Sequence, residues 1–254
     1  LLVIYDNESY ISSLPLGAAY IASALRNAGH QVCVYNQDVH HYPDEHLTQY
    51  LDANQFDVVG LGVIAGYFQY RRLLGISAAI NASKQRPFYV LGGHGPSPDP
   101  AYFLRKTEAD ALVLGEGEET VVELLGALAA RTSLTEVKGL AYRDGSRVVV
   151  NLRRPLIADI DKLAWPAYDL FPMQYYRLGR LPHTGNTDFL IPVLSGRGCT
   201  FKCTFCYRMD EGFRPRSGDG IVEEMRFLKH DYGITYIDFA DELLMSSVDR
   251  TTAL

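Results

Sequence analysis

The sequence has few cysteines, no excess of positive charge and no long apolar run, and each shortage removes a class of protein. Four cysteines in 254 residues, with no secretory signal ahead of them, do not make a disulfide framework. The thiols are therefore expected to be reduced, in a cytoplasmic setting. Lysine and arginine number 24 against 30 aspartates and glutamates, a formal net charge of -6. A nucleic-acid surface would show a basic patch or stripe, so no nucleic-acid partner is expected, and a small-molecule or carrier-bound substrate fits better. No apolar stretch approaches the ~20 residues needed to cross a bilayer, so no membrane span is expected. What is present is core material: 47% hydrophobic residues over 254 positions suffice for two ordinary domains.

The scarce cysteines are unevenly placed. Three fall in Ser195-Gly196-Arg197-Gly198-Cys199-Thr200-Phe201-Lys202-Cys203-Thr204-Phe205-Cys206-Tyr207, a C-x3-C-x2-C run directly after the apolar strand pattern Phe189 to Leu194. Thiolates are the usual protein ligands of iron–sulfur clusters, and a [4Fe-4S] cube held by three cysteines keeps one iron open to another ligand. A structural zinc site wants four nitrogen or sulfur ligands in a closed tetrahedron. No fourth Cys or His follows at zinc-finger spacing, the nearest being His183 and His230. A cluster loop is expected, with Cys199, Cys203 and Cys206 as its metal ligands. Cys33 sits in the alternating pattern Gln31-Val32-Cys33-Val34-Tyr35 and is expected to be a small buried hydrophobe, as free cysteine usually is.

From Leu1 to about Arg131 strand and helix patterns alternate. Strands read as Leu1–Asp6, Gln31–Asn36, Asp57–Val63, Phe88–Gly92 and Ala111–Gly115; helices read as Gly17–Ala28, Asp44–Asn54, Tyr70–Ser83, Pro100–Thr107 and Glu118–Ala130. Continuously apolar strands are buried on both faces, the signature of a parallel sheet between helical layers. The expected class is α/β, a Rossmann-like doubly wound domain over 1–131. Ligands of such domains bind beyond the carboxyl ends of the strands near the switch point. That points to the loops Asp6–Pro15, Asn36–Pro43, Ile64–Phe68, Gly93–Pro98 and Glu116–Gly117. The alternation stops over 132–188, which reads as an interdomain linker with a β-hairpin at Leu140–Val150 around Asp144-Gly145 and prolines at 155, 166, 172 and 182. The aromatics of Leu163–Pro172 are expected to serve interdomain packing. Residues 189–254 hold the cysteine loop, a helix from about Asp219 to Asp231 that Ser217 or Asp219 can cap, and a strand at Tyr236–Ala240.

The cysteine spacing, with the aromatic Phe205 before the third cysteine, resembles the radical S-adenosylmethionine (SAM) superfamily. The resemblance implies that SAM is held on the open iron by its amino and carboxylate groups and cleaved to a 5′-deoxyadenosyl radical. It also implies that Phe205 lies against the adenine, that an electron donor such as flavodoxin or ferredoxin is a partner, and that residues 189–254 begin a partial (β/α)6 TIM-like barrel. The sequence is expected to be trimmed at both ends, with much of the barrel missing. A second resemblance rests on Leu14-Pro15-Leu16-Gly17-Ala18-Ala19-Tyr20-Ile21-Ala22, Gly92-Gly93-His94-Gly95-Pro96-Ser97 and Gly115-Glu116-Gly117-Glu118-Glu119. These are similar to the cobalamin-binding domain of cobalamin-dependent radical SAM enzymes. Leu14, Gly17, Gly92, Gly93, Gly115, Glu116 and Gly117 are thereby the candidate cobalamin contacts, glycine allowing close backbone approach to a bulky corrin or φ > 0.

The D-x-H-x-x-G motif that puts a histidine on cobalt in cobalamin mutases is missing after the first strand, where the loop reads Asp6-Asn7-Glu8-Ser9-Tyr10. The D-x-H at Asp38-Val39-His40 has Pro43 where glycine is needed and reads as a solvated loop. Cobalamin is expected to bind without a histidine ligand. Arg214 and Arg216 are candidates for the SAM carboxylate or an anionic substrate, and Asp241 and Glu242, at the carboxyl edge of a barrel strand, for the SAM ribose or amino group. The expected activity is methylation of an unactivated carbon through a 5′-deoxyadenosyl radical and methylcobalamin. The alternatives are a non-methylating cobalamin radical SAM enzyme, such as an oxidative cyclase or ring-rearranging enzyme, and a cobalamin-binding module without catalysis.

Overall fold

The computed structural model describes residues 1–8, 13–206, 212–241 and 243–253. Five apolar runs pair side by side as parallel strands: β1 (Leu2–Ile4), β2 (Val34–Asn36), β3 (Val58–Gly62), β4 (Phe88–Gly92) and β5 (Ala111–Val113). The hairpin β6 (Leu140–Asp144) and β7 (Arg147–Val150) extends the same sheet antiparallel, with Ala111 opposite Tyr142, giving seven strands in the order β2-β1-β3-β4-β5-β6-β7. Helices α1 (Leu16–Asn27), the single turn α2 (Gln37–His40), α3 (Asp44–Ala53), α4 (Tyr67–Ala82), α5 (Pro100–Thr107) and α6 (Glu118–Ala130) connect them.

Alternate residues of one strand feed two cores. Tyr89 and Leu91 of β4 join Leu47, Leu51, Leu73, Ile76, Ile80 and Leu104 of α3, α4 and α5. Val90, between them, joins Leu25 of α1 and Val121 and Leu124 of α6. This is the doubly wound arrangement expected of strands apolar on both faces, and each fully buried aliphatic side chain contributes on the order of 1.5–3 kcal/mol.

The chain divides into two units, residues 1–10 with 21–156, and residues 11–20 with 157–254. In the second, α7 (Met173–Tyr176) precedes β8 (Leu190–Val193). The strands β9 (Gly196–Cys199) and β10 (Gly212–Pro215) form an antiparallel ribbon. Helix α8 (Gly218–Phe227) follows, then β11 (Tyr236–Phe239) and α9 (Val248–Ala253). Parallel β8 and β11, joined through α8, make the βαβ unit from which barrels are built. Ser217 caps α8 by accepting from Gly220 N at 3.0 Å, and a wider turn over Leu228–Tyr232 ends it at left-handed Gly233.

Two expectations are corrected. Cys33 is exposed rather than buried: β2 is the sheet's edge strand and begins one residue later, at Val34, so Cys33 has no second strand or helix over it. Asp38 is not part of a solvated loop but is 3% exposed inside α2. The aromatics of the linker pack within the second unit, Trp165 on Phe227 with ring centroids 5.2 Å apart and Tyr168 on Phe227 and Tyr232 at 6.3 and 6.0 Å. Helix α4 also starts a turn earlier than expected, taking Tyr67 and Phe68 out of the loop after β3.

Candidate functional site

The strand order reverses between β1 and β3, so the carboxyl-end loops there and at β4 and β5 form the switch-point crevice of the first unit. Its glycines fall into two kinds. Gly93, at φ +95°, sits where a Cβ would come 2.4 Å from Val63 O, and at Gly95 a Cβ would come 2.8 Å from Ile64 O. The β4 loop is thus pressed against the β3 loop, tied by Val63 N to Gly92 O at 2.9 Å and Gly95 N to Val63 O at 3.0 Å. Ser97 Oγ closes the turn on Gly93 O at 2.7 Å. Gly117 is likewise filled from inside, by Ile21 Cδ1 at 2.9 Å. At Gly62, Gly92 and Gly115 an added Cβ would meet nothing within 4 Å. The sequence grouped Gly92, Gly93, Gly115 and Gly117 together; the structure leaves Gly92 and Gly115 bordering open space and uses Gly93 and Gly117 for packing. The open ledge has Ile64 and Tyr67, just after β3, exposed beside it. Glu116 is half-buried. In the second unit, Leu14 is buried and Gly17, in the first turn of α1, also borders open space.

The loop leaving β1 is held by two buried carboxylates. Asp6 Oδ1 accepts from Glu8 N at 2.6 Å and Asp38 Oδ1 from Asn7 N at 2.7 Å. His41 Nδ1 lies 3.0 Å from Asp6 Oδ2, and His46 Nδ1 2.8 Å from the Tyr35 hydroxyl. Burial, followed by the nearby Asp38 charge, pushes the Tyr5 hydroxyl above its ordinary pKa.

In the second unit the cysteine loop grows out of the β9–β10 ribbon. Cys199 pairs with Gly212 at its far end and is half-buried, while Cys203 and Cys206 are exposed and joined by a Cys206 N to Cys203 O bond of 3.2 Å. Phe205 is 91% exposed, presenting its ring outward. The glycines of Ser195-Gly196-Arg197-Gly198 are demanded by the ribbon. At Gly196 a Cβ would lie 2.7 Å from the Phe213 ring, and at Gly198, φ +80°, 2.4 Å from Gly212 O. Among the described residues no three His, Cys, Asp or Glu side chains converge on one point as a mononuclear metal needs. A cubane takes one thiolate on each of separate irons, so an exposed loop of three thiols suits it without such convergence.

Three of the candidate SAM contacts are engaged by the protein itself. The Arg216 side chain is 4% exposed, and its Nη1 donates to Leu194 O at 2.9 Å and pairs closely with Glu224, itself buried. Its Nη2 reaches Gly220 O at 3.2 Å, and Asp161 lies 3.7 Å from Nε. Burial alone would lower the guanidinium pKa, but the charge and hydrogen bond of Glu224, with Tyr20 and Asp161, outweigh it and raise it. The Tyr168 hydroxyl donates to Glu224 Oε1 at 2.7 Å; burial, then the Glu224 charge, pushes its pKa far up. Asp241 receives Ser195 N at 2.8 and 3.0 Å and Gly196 N at 3.1 Å. Arg214 Nη1 donates to Ile157 O at 2.7 Å. Glu242 lies outside the described residues.

Sequence reasoning missed the ribbon, the Tyr168–Glu224–Arg216 network and Arg250. The Gly-x-Gly before the first cysteine was a signal for a close backbone crossing, and a Glu on the otherwise apolar face of α8 was a signal for a buried partner.

A doubly wound parallel sheet with an open glycine ledge, followed by a βαβ unit bearing three cysteines, defines a cofactor-binding α/β protein. The model of the B12 binding domain matches residues 7–125. The uncharacterized methyltransferase PH0819 of Pyrococcus horikoshii is 30% identical over 95% of this chain and 53% of its own length. The anaerobic magnesium-protoporphyrin IX monomethyl ester cyclase of Synechocystis is 26% identical over 90% and 45%. Among solved structures, the radical SAM methyltransferase TsrM of Kitasatospora setae, with cobalamin and a [4Fe-4S] cluster bound, superposes with a TM-score of 0.73 at 20% identity, covering 98% of this chain and 48% of that one. The first part of the chain is thus similar to B12 binding domains, and its fold as a whole is similar to that of cobalamin-bound radical SAM enzymes. It spans about half the length of the curated relatives it matches.

Proposed function

We propose that the chain supplies the cobalamin-binding domain (1–131), the connecting segment (132–188) and the first part of the radical SAM barrel (189–254) of a methyltransferase acting on an unactivated carbon. The observation that carries this reading is the three-cysteine loop on its ribbon in a chain whose first part matches the B12 binding domain. When bound, the reduced cluster with SAM supplies a carbon-centred radical and cobalamin a transferable methyl group; the organic chemistry belongs to the cofactors.

The protein's share is placement. Cys199, Cys203 and Cys206 hold the cluster, Phe205 offers its exposed ring to the adenine, and Gly92 and Gly115 let the corrin approach the strand ends. The substrate is a small or carrier-bound molecule. An electron donor such as flavodoxin or ferredoxin reduces the cluster in a cytoplasmic setting. The described residues include no helix long and apolar enough to cross a membrane.

Incubation of the full-length protein with methyl-labelled SAM tests the reaction. The expected products are S-adenosylhomocysteine, 5′-deoxyadenosine and labelled product. The cyclase relative supports the second reading, a non-methylating enzyme, which substrate-dependent 5′-deoxyadenosine with no label in cobalamin or product would establish. Cys203→Ala should lose the cluster's absorption and EPR signal on anaerobic reconstitution; a variant keeping a full cluster would refute the ligand set.

A further inference from the structure

The residue entering the cysteine loop, Ser195, is fully buried with its polar groups taken by charged side chains from sequence-distant elements. Its N–H donates to both Asp241 oxygens, at 2.8 and 3.0 Å, and the next N–H, of Gly196, to Asp241 Oδ1 at 3.1 Å. Its carbonyl accepts from Arg216 N at 2.8 Å and from Arg250 Nη2 at 2.6 Å, and the same Nη2 reaches Ser195 Oγ at 2.8 Å. Arg250, from α9, also donates through Nη1 to Arg216 O at 3.1 Å and through Nε to Leu244 O at 3.1 Å. Its guanidinium lies 5.3 Å from the centre of the Phe213 ring, the ring against which Gly196 is packed. A carboxylate therefore grips the peptide from its N–H side and a guanidinium from its C=O side, both by charge-assisted bonds. The grip begins four residues ahead of the first cysteine, and the ribbon carries its geometry on to Cys199 and Gly212.

We propose that Asp241 and Arg250 are positioning residues that act through Ser195 and Gly196 to set the cysteine loop, and that Asp241 does this in place of binding SAM. Fixing the backbone at the root of the loop fixes where the first thiolate points, and hydrogen bonding and solvent exposure around the sulfurs tune a cluster's potential. The proposal rests on the cluster reading above, and its test separates the two.

In the full-length apo protein, hydrogen exchange of the peptide covering Ser195 and Gly196 should be slow. It should accelerate about tenfold or more in Asp241→Ala and Arg250→Ala, since each loses bonds to a charged group. Arg250→Lys, which keeps one charged donor, should recover part of the protection, and the isosteric Asp241→Asn serves if Asp241→Ala does not fold. After anaerobic reconstitution, Asp241→Asn and Arg250→Ala should shift the midpoint potential and the EPR spectrum of the reduced cluster before any SAM is added. Because both act on one peptide, the double variant should be no worse than the more severe single one. Unchanged exchange in both single variants overturns the proposal. So does an unchanged SAM-free cluster with weakened SAM binding in Asp241→Asn alone, which would make Asp241 a SAM ligand. A wild-type protein that takes up no cluster refutes the cluster reading, while the exchange result still decides whether the clamp exists.

Discussion

At the scale of single residues, Gly92 and Gly93 are neighbours with opposite duties. Gly93 combines φ +95° with a Cβ position 2.4 Å from Val63 O, a backbone atom that cannot step aside. Gly93→Ala is expected to cost roughly 1–3 kcal/mol by forcing a strained left-handed conformation, read as a lower urea midpoint at unchanged slope. Gly92→Ala meets nothing within 4 Å; it should leave stability within about 1 kcal/mol while weakening cobalamin binding in a titration. If both variants lose stability equally, the ledge is not open at Gly92. The sequence could name these glycines as a group, because any Gly-rich strand end permits close approach. It could not divide them, because what each one faces is a residue from another loop. Cys33 and Asp38 were misread for the same reason. The exposure of one follows from β2 lying at the sheet edge, and the burial of the other from the amide of Asn7 across the β1 loop.

At the scale of elements, the parallel strands were legible because a continuous apolar run reports burial on both faces, and the β8–α8–β11 unit because its strands and helix change period in turn. The ribbon β9–β10 was not legible, since Gly196-Arg197-Gly198-Cys199 has neither alternation nor β-branched residues and exists only through its partner strand. Gly198→Ala should place a Cβ 2.4 Å from Gly212 O, part the ribbon, and lower iron content after reconstitution; full iron loading would show the ribbon to be dispensable. Helix α8 is pinned by Glu224 between Tyr168 and Arg216. Glu224→Gln removes the close partner of the buried Arg216 charge and leaves it only the more distant Asp161 carboxylate, at a cost of up to about 3–5 kcal/mol, measured by urea unfolding. The same network has a pH signature. The Tyr168 hydroxyl, pushed up by burial and by Glu224, stays protonated in the native state at a pH where the unfolded chain ionises, which begins near about 10. The native state then binds more protons than the unfolded one, so the stability contribution is complete below about pH 10 and is lost as pH rises further. Tyr89, raised by burial, and Tyr35, raised by burial and neighbouring acidic groups, act in the same direction. Tyr168→Phe should flatten the alkaline loss measured by urea unfolding between about pH 9 and 11; an unchanged slope would assign that loss to the other raised tyrosines, Tyr5, Tyr35 and Tyr89 among them.

At the scale of the molecule, one question joins the sheet's strand ends to the chemistry proposed for the whole enzyme: whether any side chain of the chain can put a nitrogen on cobalt. The first strand's loop carries no D-x-H-x-x-G, and the histidines near it each make a contact of their own. His41 Nδ1 lies 3.0 Å from Asp6, His46 Nδ1 2.8 Å from the Tyr35 hydroxyl, and His40 is stacked on Tyr42 with centroids 5.0 Å apart. His94 is exposed in the β4 loop, beside Gly93, whose packing on Val63 fixes that loop's backbone. If these strand ends hold cobalamin, the loop after β1 would supply no nitrogen to it, and the group would supply methyl-transfer chemistry there. The expected EPR spectrum of the Co(II) form of the full-length protein therefore lacks the superhyperfine splitting of an axial nitrogen, and it stays unchanged in His40→Ala and His41→Ala. A split spectrum lost in either variant would mean that the β2 loop reaches the cobalt after all. Loss in His94→Ala alone would make the β4 loop the source of the ligand. In both cases the methyl-transfer reading would lose its support from an unligated cobalt, and the non-methylating reading would have to be weighed against it by the fate of the labelled methyl group.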